Sequence, residues 1–173
     1  FDLYIGTARV RSDAGHGGSG SKSVVGGSSQ TVSETAGTGT SLADYTTNIY
    51  CTASISCTNC TSITFTMPNA NTTCTITNTH KTAQLTVTKV VVPSSDTGRY
   101  NLKIDGSTAG TGNNVGNGGT TGKVTVYSGA HMVSETAGSS TDLNDYELSF
   151  GGACDANGNV TLAGGDDKTC IIT

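Results

Sequence analysis

The sequence predicts an all-β protein made of two tandem antiparallel β-sandwich modules, and three observations support this prediction. Ser and Thr make up more than a quarter of the chain, with 24 Gly and only two Pro, a composition typical of short strands joined by turns. Short alternating apolar runs recur between turn residues, without the periodicity of an amphipathic helix. Finally, one set of motifs occurs twice in the same order.

The second half of the chain repeats the first. The hexapeptide Val-Ser-Glu-Thr-Ala-Gly at residues 32–37 recurs identically at residues 133–138. Further matching segments occur in the same order around it: 1–5 with 100–104, 17–22 with 118–123, 42–45 with 143–146, and 74–77 with 170–173. We therefore predict one module at residues 1–79 and a second at residues 80–173.

About seven short strands are predicted in a module, which is typical of a small sandwich. In the second module they lie at residues 85–92, 100–104, 123–127, 131–136, 147–150, 159–162 and 168–173. Their equivalents in the first module lie at residues 1–5, 23–25, 31–35, 47–51, 62–66 and 73–77. Residues 85–92 have no equivalent there, so we expect the first module to lack its N-terminal strand.

Six cysteines, an even number, predict disulfides and an oxidising compartment. The repeat aligns two cysteines of each module and so predicts the pairs Cys51–Cys74 and Cys154–Cys170. The remaining pair, Cys57–Cys60, is predicted to close a loop of the first module. A zinc site at this Cys-x-x-Cys would need a second Cys or His pair, and a redox site would need a following helix; the sequence has neither pattern.

Strand parity places polar side chains on the core side of both modules. Alternation along residues 85–92 directs Lys89 inward, and the repeated hexapeptide directs Glu34 and Glu135 inward. Asn78 follows the last cysteine of the first module with the same parity. Two alternatives remain open: the groups point into water at the sandwich rim, or they meet in the core, because burial without a partner is costly.

If the lysine, glutamate and asparagine side chains meet in the core, they can form a covalent bond. A lysine amine made neutral by burial can attack an asparagine carboxamide, while a glutamate with a raised pKa carries the protons as ammonia leaves. The product is an isopeptide bond between the first and last strands of a module.

These residues resemble a known family. Leu-Thr-Val-Thr-Lys-Val-Val, Val-Ser-Glu-Thr-Ala-Gly and Cys-Thr-Ile-Thr-Asn-Thr are similar to the SpaA-like, or Cna B-type, domains of bacterial surface proteins. The resemblance covers essentially the whole chain and implies Ig-like or prealbumin-like sandwiches with a Lys–Glu–Asn isopeptide site. It assigns Glu34 and Asn78 to the first module, and Lys89 and Glu135 to the second. The final Asn of the second module would fall just after Thr173, so we expect adjoining repeats or subunits to complete both sites.

The net charge and the motifs of the sequence disfavour several classes of function. The net charge is −4 and the nine Lys and Arg are scattered, unlike the basic surface of a nucleic-acid-binding protein. No apolar run reaches the roughly 18 residues of a membrane span. No catalytic set recurs in both modules, so we predict no enzyme, cofactor or metal. The Asp-Ala-Asn-Gly-Asn segment at residues 155–159 departs from a calcium loop and fits a hairpin turn.

The sequence therefore predicts a structural repeat module of an extracellular, bacterial-type surface fibre or pilus-like filament. Its expected partners are adjoining copies of itself, arranged head to tail in a homopolymer or a longer tandem array. The alternative is an adhesin that binds a glycan or a host protein through the Gly/Asn-rich loops at residues 14–21 and 106–122. The scarcity of aromatic residues in these loops disfavours stacking on a sugar.

Overall fold

The computed structural model describes residues 1–52 and 54–173. The protein is all-β, apart from the 3-10 turns Leu42–Asp44 and Leu143–Asp145. No helix in the described part of the chain is long and apolar enough to cross a membrane. The chain divides into two units, Phe1–His80 and Lys81–Thr173. The division falls one residue later than the predicted boundary because His80 still pairs with Tyr45 in the first unit.

The first unit is a sandwich of two antiparallel sheets. Its strands are β1 Asp2–Ile5, β2 Ala8–Arg11, β3 Ser29–Thr35, β4 Tyr45–Cys51, β5 Ile55–Thr58, β6 Ser62–Thr66 and β7 Cys74–His80. The first sheet has the order β2-β1-β3-β6 and the second has the order β5-β4-β7. Within the described residues, β7 pairs with β4 and has no strand along its other edge.

The second unit has two four-stranded sheets. Its strands are β8 Thr82–Lys89, β9 Tyr100–Ile104, β10 Ser107–Thr108, β11 Val124–Tyr127, β12 Gly129–Ala137, β13 Phe150–Gly152, β14 Asn159–Leu162 and β15 Asp167–Ile172. The sheet orders are β10-β9-β12-β14 and β11-β8-β15-β13. Among the described strand pairs of this unit, β15 runs parallel to β8 and the other pairs are antiparallel. The chain crosses to the other sheet between β8 and β15, which is how parallel neighbours are connected.

The repeat maps one unit onto the other strand by strand. β1, β3, β4, β6 and β7 correspond to β9, β12, β13, β14 and β15, and the β1–β2 hairpin corresponds to β9–β10. β8 and β11 have no counterpart in the described part of the first unit. Hence the second sheet of the first unit stops at β7, whereas the equivalent sheet continues from β15 to β8 and β11.

Burial differs between the units for this reason. Leu102, Val133 and Ile172 are at most 1% exposed and pack with Leu85 and Val87 of β8. Their equivalents in the first unit, Leu3, Val32 and Ile76, are only half-buried. The continuous core of the second unit therefore depends on the strand that the first unit lacks.

Several strand predictions need correction. Residues 23–25 form no strand. Their equivalents in β11 pair with β8, and the described residues of the first unit contain no such partner. β13 begins at Phe150 and not at residue 147. The short strands β2, β5 and β10 were not predicted. Each is held by a hairpin partner, which a search for long alternating runs does not detect.

Candidate functional site

A buried ion pair joins the two sheets of the second unit. Lys89 is the last residue of β8, and Glu135 lies in β12 of the opposite sheet. The Lys89 Nζ atom is 2.9 Å from Glu135 Oε1, and the two side chains are 4% and 5% exposed. Of the two alternatives that parity left open, the structure shows the one in which these side chains meet in the core.

Burial makes Glu135 easier to protonate than a carboxyl group in water. Burial raises the pKa of Glu135, and the hydrogen bond and charge of Lys89 offset only part of that shift. The second carboxylate oxygen of Glu135, Oε2, is buried and has no hydrogen-bond partner among the described residues. A buried acceptor without a donor is costly and marks a position where a donor group would be stabilised.

Tyr100 forms one wall of the site. The Lys89 Nζ atom lies 4.1 Å from the centroid of the Tyr100 ring, within range of a cation–π interaction. The ring meets that of Tyr146 edge to face at 5.6 Å, and the Tyr146 hydroxyl donates to Asp96. Burial raises the pKa of the Tyr100 hydroxyl well above its usual value, so Tyr100 stays neutral beside the ammonium.

In the first unit a glutamate and an asparagine meet. Glu34 in β3 is buried, and its Oε2 accepts a hydrogen bond of 2.8 Å from Asn78 Nδ2 in β7. Thr47 of β4 pairs with Asn78 in the β-ladder, and its buried hydroxyl completes the network. The Thr47 Oγ1 atom lies 2.6 Å from Asn78 Oδ1 and 3.0 Å from Glu34 Oε1.

The two sites are complementary halves of one arrangement. Glu34 and Glu135 occupy the same place in the repeated hexapeptide, opposite Leu3 and Leu102 respectively. The first unit adds Asn78 to this glutamate, and the second adds Lys89. The Oε2 atom that receives the amide of Asn78 in the first unit is the one that lacks a donor in the second.

Strand register relates Lys89 to the position of the asparagine. Lys89 pairs with Ile172, the equivalent of Ile76, and Asn78 lies two residues beyond Ile76 on the same face. A cavity of about 480 Å³ adjoins Lys89, Tyr100 and Thr173 in this direction. Lys89 and Asn78 themselves belong to different units.

Sequence reasoning missed Thr47 and Tyr100. The parity of β4, in which Ile49 and Cys51 are buried, would have placed Thr47 inward. Tyr100 shares the parity of Leu102 and is fully buried. In both cases the sequence held the signal, but only the packing of the opposite sheet shows which polar atoms meet.

The cysteines form three disulfides: Cys51–Cys74, Cys57–Cys60 and Cys154–Cys170. The first joins directly paired residues of β4 and β7. In the second unit the residue opposite Cys170 is Gly152, and the bond is made by Cys154, two residues further along. Three disulfides are typical of a protein that folds in an oxidising, extracellular-type environment.

The other candidate segments serve the fold. Asp155 accepts backbone hydrogen bonds from Asn159 and Asn157, which lower its pKa and close the turn before β14. Within residues 1–52 and 54–173, no three His, Cys, Asp or Glu side chains are grouped as metal ligands. The glycine-rich segment 106–122 hydrogen-bonds to β8 and β9, through contacts such as Gly112 O to Leu102 N and Gly119 O to Lys89 N.

Comparison with known proteins identified no relative. No family model, no curated protein and no solved structure matches the chain.

Proposed function

We propose that the chain is a pair of structural β-sandwich repeats from an extracellular fibre or pilus-like filament of bacterial type. Disulfides and Lys–Asn isopeptide bonds would stabilise each repeat, and adjoining repeats or subunits would complete each sandwich. The resemblance to SpaA-like, or Cna B-type, surface domains supports this proposal, as does the tandem duplication.

The observation that carries the proposal is the pair of complementary half-sites. A Lys–Glu pair and a Glu–Asn pair are buried at equivalent positions of the two units. Burying these polar groups is costly for a module with so few large apolar residues, and a purely structural role would be served as well by apolar side chains. Conversion of the lysine and asparagine into a neutral amide would remove the buried ammonium and leave a covalent link.

The geometry supports a specific sequence of proton transfers. In the proposed step Lys89 Nζ transfers a proton to Glu135 across their hydrogen bond, and the raised pKa of Glu135 lowers the cost of this transfer. The neutral amine then attacks the carboxamide carbon of an asparagine at the position equivalent to Asn78. The C–N bond to Nζ forms and the C–N bond to the amide nitrogen breaks. Glu135 donates the proton that it holds to the departing amide nitrogen, which leaves as ammonia, and takes a second proton from Nζ, which keeps one hydrogen as the amide N–H. The protein supplies the nucleophile, the proton carrier and the dry site.

Such a bond suits a load-bearing repeat. It would connect the first strand of a module to its last strand, so force applied at the two ends would pass through the covalent link. The rest of the sandwich would then remain folded under tension. The three disulfides contribute in the same direction by restricting the unfolded chain.

Intact-mass spectrometry tests the proposal. The second unit is extended after Thr173 by Asn-Thr-His, the residues that follow Thr77 in the first unit. We expect loss of one ammonia and a peptide cross-link between Lys89 and the added asparagine. The matched control, Lys89→Arg, keeps a cation but has no competent nucleophile, and should retain the full mass.

The variant Glu135→Gln separates proton transfer from proximity. It preserves the shape of the side chain and removes the proton carrier, so we expect folding without ammonia loss. Full mass in the extended chain, with correctly formed disulfides and a folded second unit, would contradict the isopeptide part of the proposal.

A further inference from the structure

The first unit contains an open slot between two unpaired backbone edges. One edge is β7, which has no strand beside it on the side away from β4 in the described residues. The other is the segment 18–25, which forms no strand and of which residues 18–22 and Val24 line the same opening. Between them lies a groove of about 280 Å³, bounded by Leu3, Ile5 and Ile76.

The same location in the second unit is filled by β8. β8 pairs in parallel with β15, the equivalent of β7, over residues 84–89. On its other edge it pairs with β11, and Lys89 N and Val87 O bond to Gly119 O and Thr121 N. Residues 118–123 are the equivalent of residues 17–22, of which residues 18–22 line the slot in the first unit.

The floor of the slot carries the apolar surface that β8 covers in the second unit. Leu85 and Val87 are fully buried against Leu102 and Ile172. The equivalents Leu3 and Ile76 are half-buried and line the slot. Covering this surface is a favourable contribution to binding, and two unpaired edges supply backbone hydrogen bonds.

We infer that this slot binds one extended strand with the pattern Leu-x-Val-x-Lys, inserted from another polypeptide segment. The strand runs parallel to β7 and antiparallel to residues 18–25, with its lysine opposite Ile76. The inference deepens the proposed function and rests on it for the identity of the partner, which is a β8-like strand of an adjoining repeat or copy.

Register brings the incoming lysine to the half-site. In the second unit Lys89 pairs with Ile172, and Lys89 Nζ reaches the glutamate of the facing sheet at 2.9 Å. The same register in the first unit places a lysine opposite Ile76, beside Glu34 and Asn78, whose side chains already bond to each other. The inserted lysine would then form its amide with the Asn78 side chain and release ammonia.

A peptide-binding experiment tests the inference. A synthetic peptide with the sequence of residues 82–92 carries a fluorophore and is titrated with the full chain while anisotropy is recorded. We expect saturable binding with one peptide per chain. In the matched control peptide, Leu85→Asp and Val87→Asp place two charges against the apolar floor, and we expect binding at least about 100-fold weaker.

Location and polarity are measured on the same complex. Hydrogen exchange should show new protection in β7 and in residues 18–25. A nitroxide at the C-terminal end of the peptide should broaden amide signals near Asn78, and one at the N-terminal end should broaden those near Thr72. No saturable binding, equal binding of the control peptide, protection confined to residues 81–173, or the opposite polarity would each overturn the inference.

The covalent readout separates this inference from the proposed function. Linkage with loss of one ammonia, absent with the Lys89→Arg peptide and with Asn78→Ala in the chain, supports both. Binding at the predicted location without linkage supports the slot and counts against the isopeptide chemistry. Ammonia loss in the extended second unit together with no peptide binding would support the chemistry and refute the slot.

Discussion

Lys89 and Glu135 lie in a largely apolar core, and each is tolerated there because of the other. Their contact distance of 2.9 Å allows a charge-assisted hydrogen bond, and Tyr100 covers the ammonium from one side. The pair is therefore a coupled unit whose members cannot be removed singly without leaving an unpaired buried charge.

Removing only the lysine should be costly. We expect Lys89→Met to lower the free energy of unfolding of the second unit by about 3–5 kcal/mol in urea titrations near neutral pH. The double variant Lys89→Met with Glu135→Leu should recover most of that loss, since no buried charge remains.

The matched control for this prediction is Lys123→Met. Lys123 pairs with Asp167, but both side chains are largely exposed, so we expect a change of at most about 1 kcal/mol. Equal effects of Lys89→Met and Lys123→Met would contradict the argument that burial makes the Lys89 pair important.

Thr47 supplies a hydroxyl donor to the half-site of the first unit, beside the amide donor of Asn78. Its hydroxyl lies against oxygen atoms of both Glu34 and Asn78, and no water-exposed alternative is close because the residue is 4% exposed. We expect Thr47→Val, which keeps the shape but removes the donor, to destabilise the first unit by about 1–3 kcal/mol.

Urea unfolding followed by hydrogen exchange in residues 1–80 measures this effect. Thr47→Ser retains the hydroxyl and should reduce the stability of the first unit less than Thr47→Val does. Thr75→Val, at an exposed position of the adjacent strand, serves as the neutral comparison. If Thr47→Val is as stable as Thr75→Val, the hydroxyl does not organise the half-site.

His131 makes the second unit sensitive to pH. Burial of the ring opposes protonation, but the hydrogen bonds to Asp105 Oδ2 and Tyr127 O, both 2.7 Å long, raise the pKa of His131 overall. The imidazolium donates at both nitrogens, whereas the neutral ring donates at only one.

The sign of the pH dependence follows from this raised pKa. The stabilisation is fully present below the ordinary histidine pKa of about 6.5 and is lost as the pH rises through the raised value of the folded state. Urea titrations across this range should show stability falling with pH for the native chain and a flatter profile for His131→Gln. A rise in stability with pH that His131→Gln abolishes would contradict the assignment.

At the scale of elements, a strand forms where it has a partner. Residues 124–126 and 23–25 are equivalent and each contains two valines, yet only the former belong to a strand, β11, which pairs with β8. β7 shows the same principle, because one of its edges is paired and the other borders the slot. In these modules, a local preference for extended backbone is therefore not sufficient to form a strand, because a pairing partner is also needed.

Comparing alanine substitutions of the equivalent leucines Leu102 and Leu3 measures how much β8 contributes to the stability of the second unit. Leu102→Ala empties a position that is fully buried beneath β8, and we expect the second unit to lose about 2–5 kcal/mol. Leu3→Ala alters the half-buried equivalent in the first unit, so its cost should be clearly smaller. Unit-resolved hydrogen exchange under increasing urea compares the two losses.

Binding of a strand in the slot of the first unit should change the difference in stability loss between Leu3→Ala and Leu102→Ala. With the peptide of residues 82–92 bound, the cost of Leu3→Ala should rise toward that of Leu102→Ala, because the leucine becomes covered. Losses that are equal without peptide would show that β8 adds little to the burial of Leu102.

At the scale of the whole molecule, duplication has produced two units that differ in which part of a site they contain. The first unit holds a glutamate and an asparagine, and the second holds a lysine and a glutamate. We propose that a chain with this arrangement is joined to further copies through strands that fill slots. The half-sites and the slot have one common cause: the first and last strands of a sandwich supply both its buried polar residues and part of the cover of its core.

Much of this was predictable from the sequence. Composition and short alternating runs predicted the all-β class, and the repeated motifs predicted the two-module organisation. Strand alternation predicted the inward direction of Glu34, Lys89 and Glu135. Period-two alternation has a direct physical meaning, since a strand with one apolar face must bury it. Disulfide pairing followed from symmetry between the copies and did not require distances.

Tertiary structure decided which inward groups touch and which remain open. Thr47 reaches Asn78 because β4 and β7 pair in one register, and Tyr100 covers Lys89 because the two sheets face each other. The parallel β8–β15 pair and the absence of a strand at residues 23–25 also depend on partners distant in sequence. Alternation specifies the face of each side chain, but contacts across the core arise only when two sheets are assembled.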